Sequence, residues 1–186
     1  MIDSPRFALV TATVLIATIV PRVDVLAQDS SQPASTATYA ETIDWIKSRI
    51  AGEESDSTGI RILRTIEVEG CRVDLRRYAG RLPLVSGVFN LKDIAYIDLV
   101  DQPVGTLWTG VFLVFKTSNG EARISSGRVS SDSGQLVQRQ SPLFEWHLGS
   151  VHPGDTSDLR ELGNRLHDAF GHAITLCGGA LKKEPF

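Results

Sequence analysis

Apolar and polar positions along the chain repeat with two periods, and the switches between them outline the elements. In "TYAETIDWIKSRIAG" (residues 38–52), Ala40, Ile43, Ile46 and Ile50 recur at three- and four-residue steps, the spacing of one helix face. Thr38 with Glu41 three residues later is a capping-box pattern, and Gly52 is a natural stop. "EESDSTG" then reads as a loop.

A period of two follows. In "IRILRTIEVEG", Ile60, Ile62, Ile66 and Val68 share one parity, while Arg61, Thr65, Glu67 and Glu69 share the other. Arg64 alone breaks the inward set of this half-buried strand. After Gly70, Cys71, Val73 and Leu75 point inward in "CRVDLRRYAG", and Arg72, Asp74 and Arg76 outward. "GVFNLKDIAYIDLV" (residues 87–100) predicts one long strand or two short ones, interrupted at Asn90 and Asp93. "WTGVFLVFKTSNGEARISSG" predicts a hairpin. Its Val111 to Phe115 is apolar on both parities, as in a strand covered on both faces, and Asn119-Gly120 suits a tight turn. "RVSSDSGQ" reads as a polar loop or edge. "PLFEWHLG" predicts a last strand, with Phe144, Trp146 and Leu148 on one parity.

The closing segment returns to helical spacing. Asp155-Thr156 supplies cap-type residues, and Leu159, Leu162, Leu166, Ala169, Phe170, Ala173, Leu176 and Cys177 form one stripe before Gly178-Gly179. His167 and His172 are five residues apart, so they diverge by about 140° around the axis. They flank the stripe and cannot share one metal ion. Asp168 and His172, four apart, are placed to pair. Trp45 falls off the stripe of the first helix, a weak pointer to an exposed interface.

"FALVTATVLIATIV" (residues 7–20) is uncharged and apolar, preceded by Arg6 and followed by Pro21. It falls short of the roughly 20 apolar residues of a membrane span. With "VLAQ" as the cleavage region it has the layout of a secretory signal peptide over residues 1–27; an uncleaved anchor is the alternative. "QDSSQPASTA" (residues 28–37) reads as a flexible tether. One domain over residues 38–180 and a tail, 181–186, complete the chain. The net charge of −3 survives removal of the leader. A weakly acidic chain has little attraction for nucleic acid or anionic lipid. Cys71 and Cys177 both lie beyond the leader, and two cysteines in an oxidising compartment favour a disulfide. It would close a loop of about 105 residues, for which the chain-entropy relation gives about 4–5 kcal/mol.

Candidate chemistry is sparse. His147, His152 and Asp155 in "WHLGSVHPGD" are imidazole and carboxylate groups of the kind a divalent metal accepts, although their spacing is unspecific and Asp155 suits a helix cap. Arg72, Arg76 and Arg77, with Arg61 and Arg64 upstream, suggest an anion-binding patch; Glu67, Glu69 and Asp74 among them equally suggest cross-strand charge pairing. There is no Gly-x-Ser-x-Gly elbow and no phosphate-cradling glycine loop. Cys177 on an apolar stripe is poorly placed as a nucleophile. No cofactor is implied.

The order of elements, with "ETIDWIKSRI" at one end and "RLHDAFGHAITLCGG" at the other, resembles small exported bacterial modules of pleckstrin-homology-like build. The resemblance implies an α+β fold in which a bent antiparallel sheet, a partial barrel, is capped by a C-terminal amphipathic helix. Lipid-binding members carry a basic first hairpin; "VEGC" stands at that turn here and argues against phosphoinositide binding. The expectation is an extracytoplasmic, periplasmic or secreted, noncatalytic binding module for a protein or small ligand. The alternatives are an exported metal-dependent or hydrolytic enzyme using His147, His152 and Asp155, and a carrier of a small apolar ligand. A cavity of several hundred Å³ would favour the carrier.

Overall fold

The computed structural model describes residues 36–55, 59–130 and 134–182. The expected leader, most of the tether and the end of the tail lie outside the described residues. Helix α1 (Tyr39–Ile50) forms where its cap predicts. The Thr38 hydroxyl accepts from the Glu41 N–H, and the Glu41 carboxylate accepts from the Thr38 N–H at 2.8 Å. Two orphan donors of the first turn are thereby satisfied. Ile43, Ile46 and Ile50 are buried as expected, but Thr42 joins them in place of the exposed Ala40. The Thr42 hydroxyl can be buried because it donates to the Thr38 carbonyl at 2.9 Å.

Gly52 opens a strand. β1 (Gly52–Ser55) lies where a loop was expected, pairing antiparallel with β2 (Arg61–Glu69). Its four polar residues carry no alternation, and only the ladder to β2 recruits them. β3 (Arg72–Ala79) and β4 (Leu82–Asn90) continue the same antiparallel sheet. The run through Asn90 divides into two strands: a short 3-10 turn, Leu91–Asp93, separates β4 from β5 (Ile94–Val104). Next come β6 (Trp108–Thr117), β7 (Ile124–Val129), β8 (Leu136–Ser141), β9 (Leu143–Val151) and helix α2 (Ser157–Leu176).

The strands divide between two antiparallel sheets, one ordered β1-β2-β3-β4-β7-β8 and the other β5-β6-β9. With helices at either end of the described chain the fold is α+β. The expected β6–β7 hairpin does not form. The Asn119-Gly120 turn is present, with φ of 57° and 69°, but β6 pairs with β5 and β9 while β7 pairs with β4 and β8. The turn passes the chain from one sheet to the other. β6 is nevertheless the central strand its apolar run predicted.

Both sheets and both helices share one core. Phe89 of β4 meets Phe115 of β6 at 4.9 Å between ring centres, and Phe115 meets Phe170 of α2 edge-on at 5.0 Å. Gly87 lets the Phe144 ring of β9 approach β4 closely, because that ring occupies the space a Cβ would need. On α2, Leu166, Ala169, Phe170 and Ala173 are buried as predicted, but Leu176 is exposed and Ile174 takes its place in the core. Ile174 stands one turn beyond Phe170, so the buried stripe is rotated slightly from the predicted line. Thr156 is the N-cap residue of α2 and makes no side-chain capping bond; Asp155 does not cap the helix either, and the Asp155 N–H donates to the His152 carbonyl.

A disulfide joins Cys71, at the β2–β3 turn, to Cys177, at the end of α2, across 106 positions of sequence. It fits an extracytoplasmic location, and no helix of the described residues is long and apolar enough to cross a membrane. The chain stays docked past residue 180: Leu181 packs on the core, and the Lys182 N–H donates to the Ala95 carbonyl at 2.7 Å. At the other end, the His172 ring nitrogen lies 2.7 Å from the Ala37 carbonyl.

Candidate ligand-binding cleft

The registers place residues of the six-stranded sheet in rows across the strands. One row runs Ile66, Leu75, Gly87 and Ser126 over β2, β3, β4 and β7, and belongs to the apolar interior. Two residues along, the next row on the same face runs Arg64, Arg77, Val85 and Arg128. Within one step the sheet changes from aliphatic to cationic, and here the two sheets part. A partly open cleft of about 930 Å³ lies over this row, within the size range of small-molecule sites. Trp108 and Phe112 of β6, His147 of β9 and Leu159 and Leu162 of α2 line it from the other side.

Arg64 and Arg77 are directly opposed, and like charges across a ladder repel. Their side chains are only 17% and 19% exposed. Glu54 of β1 stands 3.6 Å from Arg64 and 3.5 Å from Arg77. Arg64 also donates to the Leu148 carbonyl at 2.9 Å. Its Nε, and the indole Nε1 of Trp146 on β9 of the other sheet, are buried with no hydrogen-bond partner among the described residues. Arg128 forms a short pair with Glu145, 2.7 Å.

His147 sits on this cationic floor. Arg77 Nη1 lies 3.1 Å from its Nδ1 and Ser150 Oγ 2.8 Å from its Nε2. A guanidinium only donates, so Nδ1 accepts and the ring proton resides on Nε2. Burial, then the charges of Arg77 and Arg64, push its pKa down to about 4; a bond to the Gly149 backbone opposes them. The imidazole is therefore neutral at pH 7, and it lies tilted against Phe112 at 4.7 Å between ring centres.

The residues singled out from sequence separate in space. His152 stacks on Trp108 at 4.4 Å between ring centres, Asp155 is exposed, and His147 faces arginines. Among the described residues no group of three or more His, Cys, Asp or Glu side chains is placed to hold a metal ion. Comparison of the chain with protein-family models, with curated proteins and with solved structures returns no match.

The arginine trio divides as well. Arg72 and Arg76 lie on the outer face of β3, where Asp74 holds Arg76 through two bonds of 2.9 and 2.6 Å and raises its pKa further. Arg77 alone enters the cleft. Its parity with Val73 and Leu75 was the signal that would have found it. Arg128, Glu54 and Trp108 carry no comparable signal, because register and inter-sheet packing bring them here. His167 contacts Asp168 at 3.0 Å, and Asp168 does not pair with His172. Trp45 is partly buried, with the Arg49 and Arg165 guanidiniums 5.7 and 5.4 Å from its ring centre.

What remains is a binding geometry. The cleft offers inward-facing guanidiniums, a neutral imidazole and a strip of aromatic and aliphatic side chains.

Proposed function

We propose that this chain is a noncatalytic ligand-binding module working outside the cytoplasm, in the periplasm or beyond it, exported by the leader over residues 1–27. Its plan is pleckstrin-homology-like, a reading supported by two antiparallel sheets with a closing C-terminal helix. The observation that carries the binding reading is the cleft of about 930 Å³ with Arg64 and Arg77 half-buried beneath it. Two guanidiniums directly opposed across a sheet ladder repel each other. Aliphatic residues would close the core at lower cost, so a ligand is the economical reason for them.

The test uses N-phenyl-naphthylamine, a neutral fluorescent apolar probe. It binds the chain saturably with one site, and Val85→Trp, which fills the row between Arg77 and Arg128, weakens it at least about tenfold (about 1.4 kcal/mol) with the fold retained by circular dichroism. Absence of saturable binding, or binding indifferent to Val85→Trp, would overturn the reading. Export is checked by N-terminal sequencing of the chain recovered outside the cytoplasm, with Gln28 expected first.

A further inference from the structure

The geometry points to a second copy of this chain as a partner. β8 pairs with β8 of that copy, antiparallel about a two-fold axis at Gln138, and the six-stranded sheet runs on through both molecules. Nothing in this pairing involves the cleft, and it stands or falls apart from the ligand reading.

The two sheets have their edges at β1, β8, β5 and β9, and all but β8 carry a device against new strands. β1 is four residues long and holds Glu53 and Glu54. β5 contains Pro103, and its Ala95 carbonyl already accepts from the Lys182 N–H at 2.7 Å. On β9 the Leu148 carbonyl accepts from Arg64 at 2.9 Å. Short, charged or covered edges are how sheets avoid pairing with other chains. β8 has no proline, no acidic residue and no bulge in its register with β7. Val137 to Gln140 are all exposed.

The phase of the ladder fixes what this edge offers. The Ser130 N–H donates to the Gln135 carbonyl at 2.9 Å, which makes 130 and 135 a hydrogen-bonded pair. Such pairs alternate along antiparallel strands. Val137, Arg139 and Ser141 therefore turn their backbone groups to β7, and Leu136, Gln138 and Gln140 turn theirs outward. Among the described residues no bond to these outward groups is formed.

Only outward residues can pair across a new ladder, which leaves few registers. With the axis at Gln138, Gln138 meets Gln138 and Leu136 meets Gln140, so every outward residue is used. Arg139 then stands opposite Val137, and the strand's single charge meets no like charge. Moving the axis to Arg139 opposes two guanidiniums and matches Leu136 with Pro142, which has no N–H. Moving it to Val137 matches Gln140 with Gly134, outside the strand. The same edge serves both copies, so the contact closes at two.

The experiment measures mass by sedimentation on the chain recovered outside the cytoplasm with its disulfide intact. The concentration runs from about 5 to 500 µM, because a small interface associates weakly. A shift from one copy to two is expected. Gln138→Pro removes the central outward N–H and leaves the bonds to β7 in place. It should raise the dissociation constant at least about tenfold with circular dichroism unchanged. Two gentler changes at this exposed position keep the test open should proline disturb the strand. Gln138→Lys and Gln138→Glu each set like charges across the axis and should separate the copies, and mixing the two variants should restore a dimer with one of each. In the unaltered chain, amide exchange at Leu136, Gln138 and Gln140 should slow as concentration rises, while Val137 and Arg139, already bonded to β7, respond little. A single copy at every concentration would overturn the inference. So would a dimer untouched by Gln138→Lys and Gln138→Glu, or protection that arises elsewhere and not on β8.

Discussion

The two ends of the space between the sheets are built from the same strands and finish differently. Toward the β2–β3 turn the facing rows are aliphatic and aromatic, α2 covers them, and the disulfide ties the end of α2 to that turn. Toward the start of β2 the same face presents Arg64, Arg77 and Arg128, and a cleft remains. One end has the density of a core. The other holds charges that contribute little to holding the sheets together. The contrast separates the part of the molecule that secures the fold from the part available for binding.

The largest effect should fall on the closed end. Cys71→Ser/Cys177→Ser releases a crosslink spanning 106 positions, and urea unfolding should show a loss of about 4–5 kcal/mol. A loss under about 1 kcal/mol would mean that the disulfide does not secure this end. Gly87→Ala comes next. Its new methyl collides with the Phe144 ring inside the core, and overpacking of this kind costs about 1–3 kcal/mol. A neutral result would show that the closed end is not tightly filled.

The open end should behave in the opposite way. Replacing the charged group together, Glu54→Gln/Arg64→Met/Arg77→Met, should change stability by no more than about 1 kcal/mol, since buried ion networks contribute little net stability. A large loss would identify these residues as a strut between the sheets. A further effect concerns pH. His147 has a folded pKa of about 4 against an ordinary 6.5, so the unfolded chain takes up the proton first. Its contribution to stability is present above pH 6.5 and is lost as pH falls toward 4. Asn in its place keeps an acceptor near Arg77 and does not titrate, so His147→Asn should lose less stability across that window than the unaltered chain. Arg64 and Arg77 face this position in both, and identical pH profiles would show that the imidazole takes no part in the loss.

The closed end was far more legible in the sequence than the open one. The capping box of α1, the alternation of β2 and β3 and the stripe of α2 are local patterns, and each produced its element. Local signals also marked the Asn119-Gly120 turn, but not where the next strand would go; β7 finds its partner through β4, whose pairing is set at long range. β1 was missed because "GEES" contains no apolar residue to alternate. In the cleft, Arg64 stood out as a break in period two, yet its meaning depended on Arg77 being its cross-strand neighbour. The adjacent arginines 76 and 77 look alike in a charge run, and only strand parity assigns one to water and the other to the interior.

The most direct test follows the indole N–H signals of Trp45, Trp108 and Trp146 by NMR as N-phenyl-naphthylamine is added. Trp108 and Trp146 line the cleft and Trp45 belongs to α1, on neither wall. The account predicts saturable shifts at Trp108 and Trp146 with Trp45 unmoved. Shifts of equal size at all three, or none at Trp108, would contradict it.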